Sequence, residues 1–215
     1  MTIRHHLSDS LLMAYSAGQL PEAFSLVVAT HVSLCDDCRA RLLSFDAIGG
    51  ALIEDAGQAR MAEDSFEATM ARITGLPQAQ PVRAPRIPVS VFPAPLRDYV
   101  GGDLSAVKWR SVGMGVRQAI LKTDQGATAR LLHIPAGQAV PDHGHRGMEL
   151  TLVLQGAFRD TEDRFGPGDV EIATEELEHT PVAEQGADCI CLAATDAPLR
   201  FNRLIPRIAQ PFLRI

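Results

Sequence analysis

The sequence predicts an α + β protein of two domains, a small helical N-terminal domain followed by a β sandwich or barrel. Apolar residues recur at helical spacing through about residue 75. Six of the chain's 14 prolines then fall within a short segment, where they disfavour helix and favour extended chain. Beyond it, short apolar runs are separated by Gly, Pro and Asp, which is typical of strands and turns. We therefore predict domains at 1–75 and 97–215, joined by a Pro-rich linker at 76–96.

Two helices are predicted first. Ser8 or Asp9 can cap the first helix, because both side chains accept hydrogen bonds from free backbone N–H groups. Gly18 ends this helix. Pro21 then lies where a first helical turn tolerates proline, and an apolar helix is expected over 22–34.

Two further helical patterns complete the N-terminal domain. The third runs through 39–45 and is expected to break at Gly49 and Gly50. The fourth is a short amphipathic pattern through Phe66, Met70 and Ile73, and it begins at Asp64 or Ser65. A core formed by so few short helices often needs additional stabilisation, and a bound metal ion is one source of it.

The β domain is read from five short apolar or alternating segments. These predicted strands are 118–121, 129–134, 150–154, 170–172 and 189–193. The last contains Cys189 and Cys191, which would lie on one face of a strand. A disulfide between such neighbours is geometrically awkward, so small buried side chains are the favoured interpretation.

The first candidate metal motif is His31-x3-Cys35-x2-Cys38. On a helix of about 3.6 residues per turn, these three side chains would share one face. Two thiolates and an imidazole are three of the four ligands of a tetrahedral structural zinc site. Either His5 or His6 can supply the fourth.

The second candidate metal motif is His143-x-His145-x3-Glu149. Residues two apart on a strand project to the same side, and Glu149 can reach the same centre from a neighbouring strand. His179 is a fourth candidate donor, after a Gly-Pro-Gly-Asp turn. Imidazoles with a carboxylate suit Zn, Mn, Fe or Ni.

The segment from Gly137 to Gly156 resembles the first cupin motif, G-x5-H-x-H-x3-E-x6-G, at every defined position. The second cupin motif, G-x5-P-x-G-x2-H-x3-N, is matched in part, with Gly168 and His179 in register. The positions that depart from it are Thr174, Glu176 and Ala183. The resemblance implies a jelly-roll barrel with a metal inside.

The N-terminal motif is similar to that of the zinc-binding anti-sigma domain family. The two modules in this order resemble zinc-binding anti-sigma factors that carry a C-terminal cupin-like domain. That resemblance implies a zinc site and a second metal site, which is also expected to hold zinc. The implied ligands are His6, His31, Cys35 and Cys38 for the first, and His143, His145, Glu149 and His179 for the second.

The same resemblance implies a partner and a stimulus. The partner would be an extracytoplasmic-function-type sigma factor, held in a 1:1 complex and kept from core RNA polymerase. The cupin-like domain would sense singlet oxygen or related oxidants.

Composition and charge are consistent with such a regulator. The formal net charge is −6, and residues 1–80 carry five basic against ten acidic side chains. An acidic domain suits a basic protein partner better than direct contact with nucleic acid. There is no signal-peptide-like N-terminus and no apolar run long enough for a membrane span, so we expect a cytoplasmic protein with reduced cysteines.

Two other functions remain open on the sequence. The ligand set also suits a metallo-cupin enzyme of dioxygenase or isomerase type, with the helical module as an accessory. A weaker alternative is a sensor whose cupin pocket binds a small molecule without turnover. The acidic helical domain with its predicted zinc site favours the regulator, because a metallo-cupin enzyme does not need such a domain.

Overall fold

The computed structural model describes residues 2–76 and 90–201. Four helices occupy the N-terminal part: α1 Asp9–Ser16, α2 Glu22–Val32, α3 Asp36–Asp55 and α4 Ser65–Gly75. None of the helices in these ranges is both long and apolar enough to cross a membrane.

The predicted helix starts are confirmed, and one predicted end is wrong. Ser8 caps α1, because its hydroxyl accepts a hydrogen bond from the backbone N–H of Leu11. The expected break at Gly49 and Gly50 does not occur, and α3 continues to Asp55. Each glycine costs about 1 kcal/mol relative to alanine in a helix, so the pair weakens α3 locally without ending it.

The end of the Pro-rich segment is also helical, which differs from the expected extended chain. Helix α5 spans Ala94–Val100, with Pro93 as its N-cap and Pro95 in its first turn, where proline lacks no needed hydrogen bond. Phe92 is buried, and Asp103 accepts hydrogen bonds from the backbone N–H groups of Val91 and Phe92. Residues 77–89 of the predicted linker lie outside the described residues, and the domain boundaries stay a prediction.

Twelve strands are present in the described part of the C-terminal half. They are β1 Arg110–Gly113, β2 Val116–Ile120, β3 Thr128–Ile134, β4 His143–Gly144, β5 Glu149–Gln155, β6 Phe158–Arg159, β7 Arg164–Phe165, β8 Val170–Ala173, β9 Glu178–His179, β10 Val182–Ala183, β11 Cys189–Thr195 and β12 Arg200–Phe201. The five predicted strands correspond to β2, β3, β5, β8 and β11, so the helical domain followed by a β domain is confirmed.

These strands form three antiparallel sheets. The largest has the order β1-β2-β3-β11-β5-β8, and the two small sheets have the orders β10-β6-β7 and β12-β4-β9. In the last of these, His143 on β4 lies directly opposite His179 on β9. Two residues separated by 36 positions in the chain are therefore brought to one point by strand register.

Helix α2 packs against the large sheet, on β3, β5 and β11. Its side chains Phe24, Val27 and Val28 belong to the same buried core as Leu131 and Leu192 of the sheet. Fully burying one such side chain contributes roughly 1.5–3 kcal/mol. The two halves of the chain therefore share one hydrophobic core, while a second apolar cluster lies within the β domain.

Candidate metal centres

The N-terminal cluster lies at the junction of two helices. His31 is in the last turn of α2, Cys35 is the N-cap of α3 and Cys38 is in the first turn of α3. The prediction that all three share the face of one helix is therefore wrong. The extended backbone of Cys35 (φ −110°, ψ 109°) separates α2 from α3. The Sγ of Cys35 accepts a hydrogen bond from the Cys38 N–H at 3.5 Å and so caps α3.

The structure brings His6, and not His5, to this cluster. Nδ1 of His6 lies 3.2 Å from Sγ of Cys35 and 3.6 Å from Sγ of Cys38. One donor atom from each of the four predicted ligands lies within 4.8 Å of all the others. Tetrahedral zinc with Zn–N and Zn–S bonds of about 2.0 and 2.3 Å places such atoms about 3.4–3.8 Å apart. The two observed distances, 3.2 and 3.6 Å, lie close to that range.

The orientation of His31 prepares it as a ligand. Its Nδ1–H donates to the carbonyl oxygen of Gly168 at 2.9 Å, since a carbonyl can only accept. This leaves the lone pair on Nε2, which is buried and has no hydrogen-bond partner among the described residues. Burial lowers the pKa of His31 to about 4, so the imidazole is neutral at physiological pH, as a metal ligand must be.

The pKa of Cys38 is raised, whereas that of His31 is lowered. Burial raises the pKa of its thiol to about 11 in the absence of a metal. A divalent cation in the cluster would remove that proton, because coordination to zinc deprotonates a thiol. The cluster offers two thiols and two imidazoles and no carboxylate. This set of donors suits zinc.

The second cluster is formed by three imidazoles. Nε2 of His179 lies 3.3 Å from Nε2 of His143 and 3.4 Å from Nε2 of His145. Tetrahedral Zn–N bonds of about 2.0–2.1 Å place ligand nitrogens about 3.3–3.4 Å apart. All three side chains are buried, so their Nε2 atoms converge on one enclosed point that could hold a divalent ion.

The Nδ1 atoms of two of these histidines are anchored by oxygen acceptors. His143 donates to the carbonyl of Pro141 at 2.8 Å. His179 lies 2.8 Å from Oδ2 of Asp160 and 3.1 Å from Oε1 of Glu171. Burial lowers the pKa of His179, but the hydrogen bonds and charges of the two carboxylates outweigh it and raise that pKa to about 9. Without a metal, His179 is therefore protonated at neutral pH, and a bound metal would displace the proton on Nε2. The acceptors at Nδ1 hold the other proton and so direct Nε2 towards a metal.

Glu149 lies at the edge of the cluster. Its carboxylate is 3.9 Å from Nδ1 of His145 and accepts a hydrogen bond from the Thr151 hydroxyl at 3.0 Å. It is therefore near the predicted centre, while the tight group of donor atoms consists of the three histidines.

Asp160 and Glu171 are functional candidates that the sequence analysis missed. Together with His179 they form a further group of closely spaced donor atoms. Glu171 could have been recognised in the sequence, because a carboxylate within the apolar strand β8 is rarely buried without a partner. Asp160 follows a two-residue strand, and its sequence context did not indicate a functional role.

The turn 166–169 attaches the N-terminal segment to the β domain. Oδ1 of Asp169 accepts hydrogen bonds from the backbone N–H groups of Arg4 and His5 at 2.6 and 3.0 Å. The carbonyl of Gly168 accepts from His31, as described above. The same turn leads into β8, which carries Glu171. The segment that carries His6 is thus anchored beside the strand that supports His179.

Cys189 and Cys191 are free thiols on β11. Both are buried, as expected for small core residues, and their Sγ atoms are 3.5 Å apart.

Comparisons with known proteins assign the chain to a family. A family model described as the ChrR cupin-like domain matches residues 98–198. The Anti-sigma-E factor ChrR of Cereibacter sphaeroides is 64% identical over 215 residues, which is 100% of both chains. A crystal structure of Rhodobacter sphaeroides SigE in complex with the anti-sigma ChrR matches with a TM-score of 0.80 and 64% identity, over 91% of this chain and 100% of that chain.

These findings confirm the cupin-like fold predicted for the C-terminal domain. They also confirm a regulator in place of the alternative metallo-cupin enzyme, because the relative is an anti-sigma factor over its full length. By its identity from end to end and by its likeness in structure, this chain belongs to the ChrR family of anti-sigma factors.

Proposed function

We propose that this protein is a cytoplasmic anti-sigma factor that holds an extracytoplasmic-function-type sigma factor in a 1:1 complex and releases it under oxidative stress. The observation that carries the proposal is the 64% identity, over the whole of both chains, to the Anti-sigma-E factor ChrR. Singlet oxygen or a related oxidant is the proposed stimulus, and the cupin-like domain is its proposed receiver.

The first part of the proposal is a zinc site that fixes the N-terminal helices. Its ligands are His6, His31, Cys35 and Cys38. The spacing of their donor atoms and the buried free Nε2 of His31 support this assignment. The ion would tie the first residues of the chain to the α2–α3 junction and so set the angle between the two helices.

The second part is a divalent metal, zinc or another ion, within the cupin-like domain. Its ligands are His143, His145, His179 and Glu149, whose carboxylate reaches the metal by a change of side-chain torsion. The convergence of three buried Nε2 atoms supports this assignment. The histidines offer electron-rich rings to an oxidant that enters the domain.

The exposed apolar side chains of α3 and α4 are the proposed sigma-binding residues. We call these residues together the α3–α4 face; they are Leu43, Ile48, Leu52, Ile53, Phe66, Met70 and Ile73. Helix α4 has no buried residue. Large apolar side chains that the folded chain leaves exposed are typical of protein-binding sites when a partner brings them together, and the acidic charge of the N-terminal part suits a basic partner.

The turn 166–169 is the proposed route between the two sites. A stimulus can release a partner when it changes the relative stability of bound and free states. Loss of ligands around His179 would disturb Glu171 on β8, and this strand is continuous with the turn that holds His31 and the backbone of His5.

A sigma-dependent reporter tests the proposal. The chain is co-expressed with the proposed extracytoplasmic-function-type sigma factor, and transcription is measured with and without singlet oxygen. Cys35→Ala and Cys38→Ala are expected to give high transcription in both conditions, because the binding module loses its zinc. His143→Ala and His179→Ala are expected to keep transcription low in both conditions.

A histidine outside both clusters provides the control. His133 is paired with Asp188 at 3.1 Å, and His133→Ala is expected to respond like the wild type. Normal release under singlet oxygen by both cupin variants would refute sensing through this domain. Failure of the wild-type chain to hold the sigma factor would refute the proposed function as a whole.

A further inference from the structure

The cupin-like domain contains a cavity of about 300 Å³ that is lined in part by His143 and His179. Much of its wall is apolar and comes from several strands and loops, including Val112, Leu132, Ile134, Val140 and Phe158. By the volume that water occupies in the liquid, this space holds on the order of ten non-hydrogen atoms. A small molecule of about this size fits it.

Arg130 on β3 places a cation on the wall of this cavity. The residue is 6% exposed. Its guanidinium donates to Oε1 of Gln118 at 3.4 Å, which is a long contact with a neutral amide. No carboxylate oxygen in the described ranges lies within ion-pair distance of it. A buried guanidinium with five donors and so little pairing is costly unless an anion satisfies it.

The two carboxylates on the cavity wall lie elsewhere in the site. Glu149 borders the histidine cluster, and Glu171 lies within 3.1 Å of His179. Both are therefore engaged at the histidine end of the space. The charge of Glu149 acts on Arg130 through space, without a hydrogen bond between them. Outside the histidine cluster, the guanidinium is thus the cationic group among the residues that line the cavity.

We infer that the cavity binds a medium-chain monocarboxylate, whose carboxylate pairs with Arg130 and whose hydrocarbon chain lies against the apolar walls. A guanidinium forms two parallel hydrogen bonds with a planar carboxylate, which explains the choice of this head group. A phosphate also pairs with a guanidinium, but its second negative charge would face Glu149 and Glu171 on the same cavity wall, so a singly charged carboxylate suits the space better. The inference goes beyond the proposed function, because it requires no sigma factor.

Octanoate, with ten non-hydrogen atoms, is the probe. Binding to the purified, metal-loaded full-length chain is measured by isothermal titration calorimetry, and thermal unfolding is measured with and without the probe. Octanoate is expected to bind and to raise the melting temperature. Octanol lacks the charge and acetate lacks the chain, so each is expected to bind at least about tenfold more weakly, a difference near 1.4 kcal/mol.

Variants separate the head group from the chain. Arg130→Gln is expected to weaken octanoate binding at least about tenfold and to leave octanol binding unchanged. Val112→Trp narrows the apolar part and is expected to weaken both ligands, which keeps a second test available if the first variant does not fold. Arg117→Gln is the control, because Arg117 is an exposed arginine on β2 that contacts the His133 ring.

Metal content is measured for every variant, so that loss of the histidine cluster is not mistaken for loss of the carboxylate site. The inference is overturned if octanoate does not bind the wild-type chain at millimolar concentration. It is also overturned if folded Arg130→Gln binds octanoate as tightly as the wild type does.

Discussion

At the scale of single residues, the sequence contained candidate metal donors but not the groups that orient them. The spacing within the two motifs predicted both groups of side chains, although Glu149 lies outside the tight group of donor atoms in the second. The acceptors of His31 and His179 come from Gly168 and Asp160, which are remote in the chain. Backbone carbonyls and turn aspartates occur throughout any sequence, so only the folded arrangement identifies them.

Asp160 is expected to control metal affinity in the cupin-like domain. It holds Nδ1 of His179 at 2.8 Å, and removal of its charge weakens the preference for the tautomer that presents Nε2. Asp160→Asn should lower the metal affinity of this site by about 10–100-fold, while the N-terminal zinc is retained. Competition with a chelator of known affinity measures both sites.

Asp188→Asn is the matched control, because Asp188 pairs with His133 at 3.1 Å outside both clusters. Equal metal affinity in the two variants would mean that Asp160 does not orient a ligand.

At the scale of elements, caps and turn residues predicted where helices begin, whereas burial depends on the rest of the chain. The spacing of Phe66, Met70 and Ile73 indicated an amphipathic helix, and α4 forms where expected. Its apolar side is nevertheless exposed. A periodic pattern indicates that a helix has an apolar face, but it does not indicate whether the same chain or a partner covers that face.

The α3–α4 face is expected to supply much of the affinity for the sigma factor. Leu52 and Phe66 are each 69% exposed, so their replacement removes little from the folded monomer. Leu52→Ser and Phe66→Ser should each weaken sigma binding about tenfold or more, as large apolar side chains at the centre of an interface do. Calorimetry with purified sigma factor measures the affinity, and the melting temperature of each variant should match the wild type.

Ile120→Ser is the control for that experiment. Ile120 is 40% exposed on β2, within the other domain, and its replacement should leave the affinity unchanged. Wild-type affinity in both helix variants would exclude the α3–α4 face as the docking surface.

At the scale of the whole molecule, the sequence predicted two domains but not their common core. Helix α2 carried a signal, because its apolar residues lie on all sides and such helices are usually buried. The N-terminal helices are too few to surround it, and the large sheet supplies the remaining contacts. The sequence did not indicate the strand on which α2 would pack, because that contact joins segments more than 100 residues apart.

The contact between the domains should also govern the response to stress. Asp169→Ala removes the acceptor for the backbone N–H groups of Arg4 and His5, next to the proposed ligand His6. We expect a chelator to remove the N-terminal zinc several-fold faster from this full-length variant. We also expect slower release of the sigma factor under singlet oxygen, because a signal from the cupin-like domain would lose part of its contiguous path.

Asp103→Ala separates this effect from general loss of stability. Asp103 also accepts several backbone N–H groups, but it does so beside α5 and away from the turn 166–169. If the turn couples the two centres, Asp103→Ala should lower the melting temperature while zinc removal and sigma release keep wild-type rates at temperatures where the variant is folded. Equal rates for Asp169→Ala and the wild type would mean that the turn does not couple the two candidate metal centres, and that any signal between them passes through the shared core around α2.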